Sequence, residues 1–248
     1  GFRLTGAPVR SFTHMFLTFW NAFSLQKEEP MPMPPAAAAA EPAAQDGWVL
    51  SYYDSPLNSE ATSNRLYIDL LSQATDYAWF FTPYLMLGDD LLDAMLAAAQ
   101  RGVDVRILLD GLGRFYSFRT PVRRIAKAGA RVAYFLPPRL FPPNLMINLR
   151  DHRKLLVCDD VAFTGGMNIA DYHVVLPGRR HCVQDMQFCC QGPITRELRR
   201  AFLMDWGFAT GKYDTALPER SPERVGRSLC RIVMDGPGGS TDPLNDLI

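Results

Sequence analysis

Three short, mostly apolar runs, YAWFF (77–81), VDVRILL (103–109) and RVAYFL (131–136), are spaced by stretches of helical periodicity. That alternation restricts the fold more than any other feature of the chain. Runs of this length and composition read as buried strands. SNRLYIDLLSQA (63–74) carries apolar residues at helical spacing, as does DDLLDAMLAAAQR (89–101), which stops at Gly102, where a left-handed C-cap is expected. TPVRRIAKAG (120–129) has Pro121 near its start and Gly129 at its end, the usual helix asymmetry. KLLVCD and VAFTGG then read as a hairpin. Strands alternating with helices, followed by a hairpin, imply an α/β layered fold around a mixed sheet.

A long repeat runs through the chain. GAPVRSFTHMFLTFW (6–20) and GPITRELRRAFLMDW (192–206) share the pattern G-x9-F-L-x2-W at a constant offset of 186 residues. Gly6 matches Gly192, Phe16 matches Phe202 and Trp20 matches Trp206. A weaker echo links VLSYYDSP (49–56) with CRIVMDGP (230–237). An offset this large indicates a duplicated domain and not a solenoid. Its phase predicts that 1–28 is the tail of one unit, 47–228 a whole unit and 229–248 the opening of another. Residues 29–46, rich in Pro, Ala and Glu, read as a linker. Trp20 and Trp206, at helical spacing from Phe16 and Phe202, are expected to be core residues.

Net charge is zero, which gives no basic footprint for nucleic acid. The five cysteines show no CxxC or Cys/His metal spacing, so buried reduced thiols are expected, and a cytoplasmic face suits them better than a secreted one. No apolar run reaches the roughly 18 residues needed to span a bilayer. Two stretches mix arginine with apolar side chains, GRFYSFRTPVRR (113–124) and RLFPPNLMINLR (139–150). The second, bracketed by Arg139 and Arg150, suits an anionic lipid interface.

The chemistry concentrates in NLRDHRKLLVCDDVAFTGGMNIAD (148–171). His152, Lys154 and Asp159 fit H-x-K-x4-D. On a strand, His152 and Lys154 point to one face and Arg153 to the other. An imidazole beside a fixed ammonium suits attack on phosphorus, with Lys154 stabilising phosphoryl oxygens. Gly165 and Gly166 allow close approach of backbone to a ligand, and the Asn168 amide can donate to a phosphate oxygen. Tyr84, in a TPY turn after a buried strand, falls where α/β sites form.

This stretch resembles the phospholipase D superfamily, whose signature is HxKxxxxD followed by Gly-Gly/Ser-x-Asn, and within it the bacterial cardiolipin synthases. The likeness extends to TPYLMLGDDLLDAMLAAAQRGVDVRILL, AGARVAYFLPP and the tail after Gly192. It implies a phospholipase D-like α/β/α sandwich around a mixed β-sheet. It also implies a phosphatidyltransferase that joins two phosphatidylglycerols into cardiolipin through a phosphatidyl-histidine, with no metal or organic cofactor. His152 would be nucleophile or acid/base, Lys154 and Asn168 would hold phosphate, and Asp159 would orient the site. Asp185 matches an acid that the family keeps near its active site. The implied setting is the cytoplasmic face of a bacterial membrane, with phosphatidylglycerol and the membrane surface as partners.

The resemblance is incomplete in three ways. Five residues, DVAFT, separate Asp159 from Gly165, one fewer than is usual in the family. The unit opens like a synthase's second half and continues from FTGGMNIAD like the first. Only one H-x-K-x4-D is present, because His14, His173 and His181 have no lysine two residues on. A second motif would come from a homodimer partner or from a missing half. The rival readings are a single-motif homodimeric phosphodiesterase or nuclease and an inactive fragment.

Overall fold

A computed structural model of the 248-residue chain describes residues 7–24, 52–53, 62–113, 119–138, 150–170, 186–213, 222–223 and 232. Two compact units are distinguished, Gly1–Ser51 with Val225–Ser228, and Tyr52–Arg224 with Leu229–Ile248. The expected linker 29–46 and the stretch 233–248 lie outside the described residues.

The second unit carries β1 (Tyr52–Tyr53), α2 (Thr62–Gln73), β2 (Tyr77–Thr82), β3 (Leu85–Met86), α3 (Asp89–Gln100) and β4 (Asp104–Asp110). These are followed by α4 (Arg119–Lys127), β5 (Arg131–Phe135), β6 (Leu155–Cys158), β7 (Val161–Gly165), β8 (Ile169–Ala170), β9 (Met186–Gln191) and α5 (Ile194–Thr210). Seven strands form one mixed sheet in the order β1-β9-β7-β6-β2-β4-β5. The β2, β4 and β5 strands are parallel, whereas β6, β7, β9 and β1 join by antiparallel pairing.

Strand alternation makes the sandwich. On β2, Ala78 and Phe80 face a core built with Tyr67 and Leu71 of α2, Leu91 and Met95 of α3, and Ile125 of α4. Tyr77, Trp79 and Phe81 face the opposite core with Leu198, Phe202 and Trp206 of α5. Every side chain of β2 is buried, as its unbroken apolar run requires. The expected α/β/α sandwich around a mixed sheet is therefore the fold observed. Local signals placed its helices well. Gly102 takes φ 91°, and its N–H and that of Val103 close onto Ala99 and Ala98 carbonyls, a Schellman stop for α3.

Arg106 places a charge in the middle of a buried strand. Its guanidinium lies over the Trp79 and Trp206 rings, 4.8 and 5.4 Å from their centroids, and pairs with Asp104 at 2.9 Å. Asp104 also pairs with Arg131 at 2.6 Å. Burial would raise the Asp104 pKa, but the two arginines outweigh it and hold the carboxyl below its ordinary value.

The first unit contributes α1 (Ala7–Phe23). Here the expectation of core burial fails. Phe16 and Trp20 are 59% and 47% exposed and stack on each other at 5.8 Å. Their repeat partners Phe202 and Trp206 are 0% and 5% exposed, because α5 has a sheet beneath it and Phe202 stacks on Trp79 at 5.3 Å. The cysteines depart from expectation too: Cys158 is buried, but Cys189 is exposed and Cys190 half-buried, and all three are free.

The β6–β7 hairpin turns at Asp159–Asp160, with Asp159 at φ 47°, a left-handed conformation that aspartate tolerates. Its carboxylate accepts the backbone N–H groups of Thr75, Asp76 and Tyr77 at 2.8–3.1 Å and the Thr75 hydroxyl at 3.0 Å. Partial burial would raise its pKa, yet these donors hold it below the ordinary value. An acid with a depressed folded pKa stabilises the fold above its unfolded pKa of about 3.9 and loses that contribution as pH falls through the folded value. Asp159→Ala is expected to cost roughly 1–3 kcal/mol in urea unfolding at neutral pH. The gap from the parent should close in strong acid. Equal stability at neutral pH would show that the clamp is idle.

Candidate functional site

The site forms where two kinds of strand meet. Thr82 pairs with Leu109, so β2 and β4 bring their carboxyl ends to one edge of the sheet. β6 runs antiparallel to β2 with Phe81 opposite Leu155, so its amino end arrives at that same edge. This is the edge where α/β folds place ligands.

Residues 151–154 precede the ladder and are not part of the strand itself, in contrast to the expectation for His152 and Lys154. The register explains why. Continued by one pair, it sets Lys154 against Thr82, and the next partner would be Pro83, which has no N–H to donate. The alternation nevertheless persists. Lys154 Nζ lies 2.6 Å from His152 Nδ1 and 3.4 Å from Nε2, and donates to the His152 carbonyl at 2.6 Å. Arg153 points the other way. It pairs with Asp151, reaches Asp205 of α5 at 2.8 Å and lies over the Phe81 ring at 5.6 Å.

The other expected residues gather around this pair. The Tyr84 ring stands edge-on to the imidazole, with centroids 6.2 Å apart and planes at 76°. β3 and β8 pair in parallel with Leu85 opposite Ile169, which brings Tyr84 and Asn168 to the start of that ladder. Thr164 is opposite Leu155, so Gly165 and Gly166 follow on beside Lys154. Thr82 ties the parts together, its hydroxyl donating to the Tyr84 carbonyl at 2.8 Å and accepting Ile169 N–H at 3.5 Å.

Asp159 is not in this group. It lies at the far end of β6 from His152, and the carboxylate bonds described above all serve the turn. Asp185 lies outside the described residues, as does the apolar stretch 139–149. Two supports were missed in the sequence. Gln187, 2% exposed, accepts Met167 N–H at 3.3 Å and donates to the Tyr67 hydroxyl at 3.1 Å, which holds the loop after the glycines. Asp110, 4% exposed, accepts Asp151 N–H at 3.2 Å. The available signal was an acid closing an apolar run at a strand's carboxyl end.

An ammonium only donates, so the imidazole nitrogen facing Lys154 accepts and the ring is neutral. Desolvation lowers the His152 pKa, and the Lys154 charge lowers it further; the Asp110 and Asp151 carboxylates oppose both. Burial pushes Asp205 up to about 6, with Arg153 opposing and Asp151 adding to the rise. A neutral imidazole at the rim, a buried cation beside it and a glycine-rich loop opposite form a cradle suited to a tetrahedral oxyanion. Among the described residues, no three His, Cys, Asp or Glu side chains converge as a metal site.

Comparison with known proteins accords with this geometry. Residues 67–206 match the family model described as "Cardiolipin synthase, PLD-like domain". The major cardiolipin synthase ClsA of Bacillus subtilis is 30% identical over 164 residues, covering 64% of this chain and 34% of that protein. The cardiolipin synthase of Geobacillus sp. (strain WCH70) is 29% identical over 187 residues, covering 73% and 37%. The chain thus spans about a third of the length of these curated relatives. Among solved structures, NucT from Helicobacter pylori superposes with a TM-score of 0.50 at 14% identity, covering 65% of this chain and 97% of that one, a likeness of fold.

The His152 ring should titrate below the ordinary value of about 6.5 when followed by NMR. Lys154→Met, which removes the neighbouring cation, should raise that midpoint. A midpoint unmoved by the substitution would mean that the two side chains do not interact in solution.

Proposed function

The chain belongs to the family of cardiolipin synthase PLD-like domains, and on that premise we propose that it supplies one histidine–lysine half of a phosphatidyltransferase site. The reaction joins two phosphatidylglycerols into cardiolipin and glycerol. The observation that carries this reading is the Lys154 ammonium set against the His152 imidazole at the carboxyl-end edge of β2 and β4.

The chemistry needs two histidines. One imidazole nitrogen attacks phosphorus while the bond to the first glycerol breaks, and the second histidine gives its proton to the departing oxygen. A phosphatidyl-histidine results. The second histidine then takes the proton from a hydroxyl of the incoming phosphatidylglycerol, whose oxygen attacks phosphorus and releases the first histidine. His152 fills one of these two roles. Lys154 and Asn168 hold phosphoryl oxygens, the Gly165–Gly166 backbone permits close approach, and Tyr84 braces the ring. Asp185 is retained as a further residue near the substrate.

With one H-x-K-x4-D in the sequence, the second histidine comes from another copy of the chain or from another part of a longer protein. The work takes place at the cytoplasmic face of a bacterial membrane, where the lipid is. No described helix is long and apolar enough to cross a bilayer, and the attachment we propose for these residues is peripheral. Zero net charge favours lipid over nucleic acid as the substrate.

The test is lipid mass spectrometry after incubating the purified chain with phosphatidylglycerol vesicles, beside His152→Ala. Where a second copy supplies the other histidine, cardiolipin from the parent and none from the variant is the expected result; no product from either would assign the second histidine to another part of a longer protein. Phosphatidic acid in place of cardiolipin would make the protein a hydrolase. Equal product from both would remove His152 from the chemistry.

A further inference from the structure

Asp110 closes β4 at the site edge and is 4% exposed. A carboxylate this buried needs partners, and two backbone N–H donors and an arginine surround it. Oδ1 accepts Leu112 N–H at 2.9 Å and lies 3.5 Å from Arg150 Nη1, and Oδ2 accepts Asp151 N–H at 3.2 Å. Two of these partners, Arg150 and Asp151, immediately precede His152. The mount itself is rigid. A Cβ on Gly113 would overlap the Pro83 carbonyl, and one on Gly111 would overlap the Leu136 carbonyl, so the turn after Asp110 is wedged between the β2–β3 turn and the end of β5. The same short segment therefore bears on Pro83, next to Tyr84, and on Asp151, next to His152.

We propose that Asp110 is a positioning residue for phosphoryl transfer. It fixes the peptide ahead of His152 so that the imidazole stays against Lys154 and edge-on to Tyr84. The inference rests on the reading of His152 as a reacting histidine. Asp110 does not meet the substrate and acts through the backbone that it holds.

Only a carboxylate fits the role. Its two oxygens each accept a backbone N–H, whereas an asparagine in the same place would turn its NH2 toward one of the two donors. A glutamate would carry an extra methylene into a packed strand end. The charged or titratable groups facing His152 are Lys154 and Asp151 from its own segment, Asp110 from β4 and Tyr84 from the β2–β3 turn. Asparagine thus also removes one of the two carboxylates that oppose the lowering of the His152 midpoint.

The experiment compares the parent chain with Asp110→Asn in three readouts: thermal unfolding, the His152 ring resonances across pH, and turnover of phosphatidylglycerol vesicles. The variant is expected to remain folded, to shift the ring resonances with a lower midpoint, and to lose ten- to a hundredfold in kcat, with KM little changed, the scale of a misplaced reacting group. Asp110→Glu is expected not to rescue. Ring resonances and midpoint identical to the parent, or an unchanged kcat, would overturn the proposal. If Asp110→Asn does not fold, Arg150→Met tests the same mount from the arginine that pairs with it. A shifted His152 ring with reduced kcat then supports the role, and an unmoved ring overturns it. Equal lipid product from the parent and His152→Ala would sink the functional reading alone, since the resonance comparison reads positioning without substrate, and that comparison also decides the proposal if the single chain turns over no lipid.

Discussion

The seam between β2 and β6 carries the architecture. On one side of it lie parallel strands joined by helical crossovers, and on the other the antiparallel block β6, β7, β9 and β1. Only because β6 runs against β2 does the amino end of one strand meet the carboxyl ends of two others. His152 and Lys154, which precede β6, therefore face Tyr84, which follows β2. The seam is clamped at its far end by Asp159 on the α2–β2 loop and at the near end by Asp110 on Asp151. Between the clamps, Trp79, Phe80, Phe81, Leu156 and Val157 are almost wholly buried, which leaves the register no freedom to slip.

Charge at the site is balanced locally. Arg153 turns away from the cradle and pairs with Asp151 and Asp205, which ties the acids on the motif's other face to an arginine of their own. Lys154 is 6% exposed, and its ammonium lies against the ring and the carbonyl of His152.

Much of this was legible in the sequence because the signals were local. The helices from α2 to α4 and the strands β2, β4 and β5 follow from periodicity and from stops such as Gly102. Tyr84 was expected from its place after a buried strand, and Gly165, Gly166 and Asn168 from the glycine-rich motif that follows the histidine. What escaped depends on partners distant in sequence. β1, β3 and β8 are two residues long and exist only through their ladders. Gln187 and Asp110 look like ordinary polar residues until Met167 and Asp151 arrive beside them. The spacing of Asp159 from His152 is the same whether its carboxylate faces the site or the opposite turn, and only the fold shows the turn. Trp20 and Trp206 share a pattern but not an environment, since a repeat specifies an apolar helix face without specifying what lies under it.

The central claim is that this strand edge is where a phosphodiester binds, whichever molecule completes the pair of histidines. It is tested most directly by titrating the isotopically labelled chain with a soluble short-chain phosphatidylglycerol and following backbone and side-chain resonances. Saturable shifts at His152, Lys154, Gly165, Gly166, Asn168 and Tyr84, weakened in Lys154→Met, are the predicted result. Shifts confined to other parts of the sheet, or binding indifferent to Lys154, would contradict it.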